Sequence, residues 1–245
     1  VFVPSKYSYK NNILISGAVD LPRYIGFQKN MKISSILYNF NSLKNDVYPY
    51  FAVIKRQEET NKTNSFLSFS PQSVIEMKQD LLLKPGDEVK FFSKEEIKEM
   101  ILNFASSSVD LKPQVSFSDK NRINKSGSLE ELVKELIIRT EGAVVSPGKL
   151  LLADIYNLET VIEISGGFNN LADRTIIEVL SPFKNDNSSI VFESNMYNFD
   201  KLGSRQLNVI PGTLIRVPKI QSSLELGSVE ITGRVKQPGS YQIIE

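Results

Sequence analysis

The 245-residue chain has no cysteine, no histidine and no tryptophan. Without cysteine there is no disulfide and no thiolate nucleophile. Without histidine there is no Ser-His-Asp or Cys-His catalysis and no His-Glu-x-x-His zinc motif. The absence of thiols suits an oxidising compartment. Excess charge is also lacking: 29 Lys and Arg balance 28 Asp and Glu, for a net charge of +1. No basic stripe marks a nucleic-acid surface. No apolar run approaches the length of a membrane-spanning helix, and the strands are too irregular for a membrane barrel. A Gly-rich phosphate loop is missing too, because Gly166-Gly167 follows a predicted helix instead of preceding one. The enzyme chemistries that remain need paired carboxylates or a Ser-Lys pair. Glu95-Glu96, Glu130-Glu131 and Asp87-Glu88 are sequence neighbours, which read as solvated faces. No catalytic residue, metal ligand or cofactor is therefore expected.

What the chain does have is repetition. A Gly-x-Val-x-x-Pro pattern opens at Gly17, Gly142 and Gly233, and the Pro is followed by Arg23, Gly148 and Gly239 in turn. Apolar residues flank each copy, so each reads as a strand, a turn and a return strand. Pro-Gly suits a type II turn in the second and third copies. Arg23 points to a type I turn or a longer loop in the first. After the first hairpin, Ile33, Ile36, Leu37 and Phe40 have helical spacing, with a C-terminal cap expected near Asn39 or Asn41. After the second, Leu158, Val161 and Ile162 repeat that spacing and Gly166-Gly167 provides the cap. Strands are predicted over 50–55 and 175–180. Polar tips at 57–64 and 184–189 lead into second apolar runs. Leu81–Phe92 and Leu207–Pro218 close the units, each with a Pro-Gly turn before a last strand.

A unit of roughly 80 to 90 residues is near the lower size for an independent domain. The predicted organisation is a first domain over 11–97, an insertion over 98–139, a second domain over 140–222 and a further opening hairpin over 226–245. Residues 1–10 read as the tail of a preceding repeat, since Phe2-Val3-Pro4 resembles Arg216-Val217-Pro218. A longer tandem array is the expectation. Within the insertion, 106–126 reads as a linker. Ser128 and Glu131 resemble a capping box before a helix striped by Leu129, Leu132, Val133 and Leu136. Another helix is predicted over Lys94–Phe104. Sequons at Asn61, Asn124 and Asn187 fall in predicted loops.

This order of motifs resembles the SLBB (soluble-ligand-binding β-grasp) domain. The resemblance rests on Gly142, Val144, Pro147, Gly148, Ser165, Gly166, Gly167, Pro211 and Gly212 in the second unit. In the first it rests on Gly17, Val19, Pro22, Pro85, Gly86 and Asp87, and in the third on Gly233, Val235, Pro238, Gly239 and Tyr241. It covers the chain apart from the insertion. It implies an α+β fold of tandem β-grasp (ubiquitin-like) domains, each a mixed sheet crossed by one helix, with a partly helical insertion between them. It further implies a periplasmic segment of a bacterial outer-membrane polysaccharide export protein, without enzymatic activity. The implied partners are capsule polysaccharide or exopolysaccharide, neighbouring copies of the protein and an inner-membrane polysaccharide co-polymerase. The alternative is a periplasmic small-molecule or glycan-binding module outside any ring. The hairpin tips are the expected ligand or subunit contacts: Asp20, Arg23 and Tyr24; Ser146 and Lys149; Lys236, Gln237 and Tyr241. Tyr48, Tyr50, Tyr156 and Tyr197, with Tyr24, are candidate glycan-facing aromatics.

Overall fold

Each Gly-x-Val phrase ends a strand by the same local device. Gly17 and Gly142 adopt φ of +83° and +84°. The next residue then donates to the closing strand of its own unit, Ala18 N to Phe91 O at 2.9 Å and Ala143 N to Val217 O at 2.8 Å. The valine N–H turns back on the glycine carbonyl in all three copies, at 2.8 Å for Val19, 3.0 Å for Val144 and 3.0 Å for Val235. Only glycine fits here, because a Cβ on Gly17 or Gly142 would stand 1.9 or 2.0 Å from a main-chain oxygen. The expected type II turn at Pro147-Gly148 is replaced by this arrangement. Gly148 pairs with Thr140, Gly239 with Ile231, and Arg23 with Ile15, so all three residues begin return strands. The loop bridging each hairpin therefore lies before Arg23, Gly148 or Gly239, and no Pro-Gly turn spans it.

A computed structural model describes residues 11–57, 63–104, 125–184, 190–220, 228–233, 235–236 and 239–242. The expectations for 1–10, Asn61, 106–124, Asn187 and Gln237 lie outside these residues. The elements run β1 (Asn12–Gly17), β2 (Arg23–Gly26), β3 (Val47–Gln57), β4 (Asn64–Phe69), α1 (Pro71–Ile75), β5 (Glu88–Ser93), α2 (Lys94–Phe104), β6 (Lys125–Ser126), α3 (Leu129–Glu135) and β7 (Ile137–Gly142). They continue β8 (Gly148–Leu151), β9 (Tyr156–Asn157), α4 (Leu158–Ile164), β10 (Ile177–Lys184), β11 (Ile190–Tyr197), α5 (Leu202–Arg205), β12 (Asn208–Val209), β13 (Leu214–Val217), β14 (Ser228–Ile231) and β15 (Gly239–Gln242). The architecture is α+β with two mixed sheets, ordered β2-β1-β5-β3-β4-β6 and β8-β7-β13-β10-β11. Apart from β6, the two sheets have the same order. In both, the first strand runs parallel to the closing strand. The second sheet starts at Ile137, slightly before the expected boundary at residue 140.

The Pro-Gly turns before the closing strands form as predicted. Gly86 and Gly212 have φ of +83° and +84°. Asp87 N bonds Lys84 O and Thr213 N bonds Ile210 O, both at 3.2 Å. In the first unit Asp87 is buried and takes Arg56 in a two-pronged pair at 2.9 and 2.7 Å. The fork geometry satisfies both carboxylate oxygens, which a buried charge requires.

The helix expected from Ile33 to Phe40 is absent. Two 3-10 turns, Ile33–Ser35 and Phe40–Ser42, stand there instead. Polar side chains compete for the backbone in this stretch. Asp80 accepts from Ser34 N and Ser34 Oγ, and Asn39 accepts from Asn41 N. Asn39 thus starts the second turn, with φ of −160°, and neither it nor Asn41 is left-handed. In the second unit α4 forms as predicted. Gly166 and Gly167 end it in left-handed geometry, bonding Glu163 O and Ile162 O.

Strand alternation sorts the apolar residues into three cores. Ala52 and Ile54 of β3 face a first core with Val89, Phe91 and Phe69. Ile138, Val179 and Ile215 face a second, closed by Leu158, Val161 and Ile162 of α4. The opposite face of β3 carries Phe51 and Val53 into a third. There they meet Ile97 of α2, Leu132 and Val133 of α3, and Ile137 and Leu151 of the second sheet. The insertion therefore bridges the two sheets: its helices fill the space between them, and β6 extends the first sheet along β4. The helix at Lys94–Phe104 is capped by an unforeseen reciprocal pair, Ser93 N to Glu96 at 2.8 Å and Glu96 N to Ser93 Oγ at 3.2 Å. The expected box at Ser128 is half formed, because Glu131 takes the Ser126 hydroxyl instead.

Gly142→Ala combines left-handed strain with a backbone collision and is expected to cost about 3 kcal/mol or more. Gly86→Ala meets nothing within 4 Å and should cost only about 1 kcal/mol. Urea unfolding of both variants checks the difference; equal losses would contradict it.

Candidate functional site

The third core leaves a groove beside it, about 650 Å³ in volume. Four parts of the chain line it. Tyr48, Pro49 and Tyr50 come from β3, where the register with β5 breaks between Val47 and Ala52. Lys94, Ile97, Lys98 and Ile101 come from α2. The β7–β8 loop and β8 supply Ser146, Pro147, Gly148, Lys149 and Leu150, and the end of α4 supplies Glu163 and Ile164. Pro49 lacks an N–H to give to the ladder, which suits an irregular stretch of strand.

A tyrosine cluster fixes the walls. Tyr50 meets Tyr48 edge-on at 5.5 Å and Tyr156 at 5.6 Å. Ala153 N donates to Tyr50 O at 2.9 Å, across the two units. Tyr156, from β9, sends its hydroxyl into the first unit, 2.6 Å from Ser70 Oγ and 3.2 Å from Ser73 Oγ. Ser70 is the N-cap of α1 and accepts from Ser73 N at 3.1 Å. Its own proton goes to Pro49 O at 3.2 Å, so Tyr156 is the donor to Ser70. Burial pushes the Tyr156 hydroxyl from 10 up to about 12. Burial raises Tyr48 as well, reinforced by Tyr50 and opposed by a main-chain hydrogen bond at Leu151. Tyr50 is raised by burial, then by the charges of Glu163 and Glu76.

Both signs of charge line the groove. Lys94, Lys98 and Lys149 line it with one carboxylate, Glu163. Burial lowers the Lys149 pKa, and Arg139, directly opposite on β7, lowers it further. Lys98 pairs with Glu95 at 3.2 Å.

The hairpin-tip residues do not converge. Ser146 and Lys149 line the groove. Asp20, Arg23 and Tyr24 sit on the first hairpin and do not; Asp20 and Arg23 are exposed and Tyr24 is 48% exposed. Arg23 instead borders a recess of about 10 Å³, room for one water. Lys236 is exposed between β14 and β15, and Tyr241 pairs with Val229. Tyr197 packs against the second core. The sequence did not single out Lys94, Lys98 or Glu163, which only the fold places beside the tyrosines. The neighbouring acids are occupied locally: Glu95 by Lys98, Glu130 by Lys134, Asp87 by Arg56, and Glu88 by Lys55 and Ser16. Among the described residues, no three acidic side chains group as metal ligands, and no helix is long and apolar enough to cross a membrane. No protein-family model matches the chain, and no curated protein matches it.

The fold favours the neutral Tyr156 phenol, so the native state keeps this proton after the unfolded chain has lost it. That stabilisation is complete below pH 10 and declines as pH rises from 10 towards 12. Tyr156→Phe should flatten this alkaline loss. At pH 7 it should destabilise by about 1 kcal/mol through the lost hydrogen bonds. Urea titrations at pH 7 and pH 11 measure both; an unchanged alkaline slope would contradict the assignment.

Proposed function

We propose that the chain is a tandem β-grasp segment of the SLBB type, a non-enzymatic part of a bacterial polysaccharide exporter in the periplasm. The observation that carries this reading is internal. Two sheets share the order of hairpin, closing strand and strand pair, and three hairpins share one register around Gly17, Gly142 and Gly233. A module stacked in series is suited to building a wall, with polysaccharide moving past it. Neighbouring copies and an inner-membrane polysaccharide co-polymerase are its partners in this reading. Contact between copies is head-to-tail, which closes into a ring when the rotation permits.

The units differ in a way that bears on assembly. In the first, the edge strand β4 is covered by β6. In the second, the matching strand β11 has β10 on one side and no further strand beside it among the described residues. It exposes Phe192 and Met196. An edge of this kind pairs readily with another chain. The second reading, a glycan-binding module outside any ring, is favoured by the groove itself.

Light scattering on the full-length protein, extracted from membranes in mild detergent, separates the two. The exporter reading expects a large discrete oligomer that Phe192→Lys with Met196→Lys weakens at least tenfold in assembly constant. A monomer would contradict that reading and leave the binding module.

A further inference from the structure

We infer that a second copy of this chain docks end to end, its first unit seated on the second unit of its neighbour. The contact sets Leu21 and Tyr38 of one copy against Ile176 and Ile220 of the other. It rests on the head-to-tail reading above and names the two surfaces that meet.

The two units match position by position. Val19 bridges Leu43 as Val144 bridges Phe168. Ile54 pairs with Val89 as Val179 pairs with Ile215. Lys94 N donates to Asp46 O at 2.9 Å, as Ile220 N donates to Leu171 O at 2.8 Å. Counting along the chain from these anchors sets Leu21 at the place of Ser146 and Tyr38 at the place of Glu163. It sets Asp173, Thr175 and Ile220 at the places of Tyr48, Tyr50 and Lys94. Within the chain, Tyr48, Tyr50 and Lys94 line one wall of the groove, and Ser146 and Glu163 line the wall opposite. The first unit therefore carries, at Leu21 and Tyr38, the surface that the second unit turns toward its neighbour. The second unit carries, at Asp173, Thr175 and Ile220, the surface on which that neighbour is received.

Both surfaces expose large apolar side chains. Leu21 and Tyr38 are 68% and 77% exposed, and Leu171, Ile176 and Ile220 are 55%, 50% and 57% exposed. Apolar surface gathered on a docking face points to a protein partner. The sizes match as well. Inside the chain the large side chains, Tyr48 and Tyr50, stand on the first unit's wall, with Ser146 and Glu163 opposite. Between copies the order is reversed: Asp173 and Thr175 are small, and Leu21 and Tyr38 opposite them are large. Ile220 in place of Lys94 turns a charged lining position into an apolar one. The contact between copies thus fills the space that the chain's own junction leaves as a groove. The middle of this face stays polar, because Glu178 takes the place of Val53 and is held by Arg216 at 2.6 Å. Apolar contact beside wet polar area is the make-up of a non-obligate interface. The two surfaces are different patches, so the contact is heterologous and each copy keeps one of each for the next. Among the described residues, β14 and β15 of the third hairpin pair only with each other.

Oxidative crosslinking tests the contact, since the chain has no cysteine of its own. Ala153 N meets Tyr50 O at 2.9 Å inside the chain, and Gln28 and Thr175 stand at the two matching positions, both exposed. Main chains this close suit a disulfide. Gln28→Cys mixed with Thr175→Cys should give a linked heterodimer. Either variant alone, or Gln28→Cys with Lys236→Cys, should not. Tyr38→Lys on the Gln28→Cys copy, or Ile220→Lys on the Thr175→Cys copy, should lower the yield about tenfold, because each buries an unpaired charge in the contact. A yield no greater than that of the Lys236 control, or one indifferent to both lysines, would overturn the inference. So would a Thr175→Cys, Gln242→Cys chain that closes on itself, because the third hairpin would then occupy the surface. If the crosslink fails while the full-length protein forms a large oligomer, the exporter reading stands on another contact. A crosslink without that oligomer keeps the end-to-end contact and removes the exporter.

Discussion

A single strand buried on both faces organises this molecule. Along β3, Ala52 and Ile54 fill the first core while Phe51 and Val53 fill the third. Full burial of Phe51, Val53 or Ile54 contributes about 1.5–3 kcal/mol each. The third core also takes Leu132, Val133 and Leu136 from the α3 region and Ile137 and Leu151 from the second sheet. The two sheets are therefore held by shared side chains rather than by a tether. Tyr156 reinforces the joint by reaching into the cap of α1. The groove is a consequence of this joint, since its walls belong to elements that the third core fixes.

The same module is used differently in its two copies. On the outward face of the first sheet, Phe51, Val53 and Phe92 form an apolar patch that the insertion and the second unit cover. The matching face of the second sheet carries Arg216 between Glu178 at 2.6 Å and Glu141 at 3.4 Å, with Ser194 on Glu178 at 2.8 Å. Exposed ion pairs of this sort add little stability; their value is a face that tolerates water. Side-chain chemistry on one sheet face thus separates the copy that docks from the copy whose face is solvated.

Local devices were legible in the sequence, and long-range ones were not. Gly17 and Gly142 marked their hairpins because only glycine tolerates that approach to the closing strand, and Gly233 marked the third through its positive φ. Gly86, Gly212, Gly166 and Gly167 were legible because their turns and helix cap need a left-handed φ. The spacing of Ile33, Ile36, Leu37 and Phe40 misled because periodicity ignores the competing Ser34 and Asn39 side chains. The apolar run from Phe51 to Ile54 was read as part of a strand over 50–55, but neither its burial on both faces nor what covers its second face was read from it. At the candidate site, Tyr48, Tyr50, Ser146 and Lys149 were named from sequence, while Lys94, Lys98 and Glu163 were not. Their convergence depends on how α2 and α4 dock, which no local pattern encodes.

The joint between the sheets is the claim on which the groove and the wall both depend. Native-state hydrogen exchange, read on peptides from β5 and from β13, measures it most directly. One cooperative body requires the slowest amides of both strands to share a single opening free energy, and Leu132→Ala to lower both together. A β13 that opens independently of β5, or a Leu132→Ala effect confined to one of them, would contradict the account.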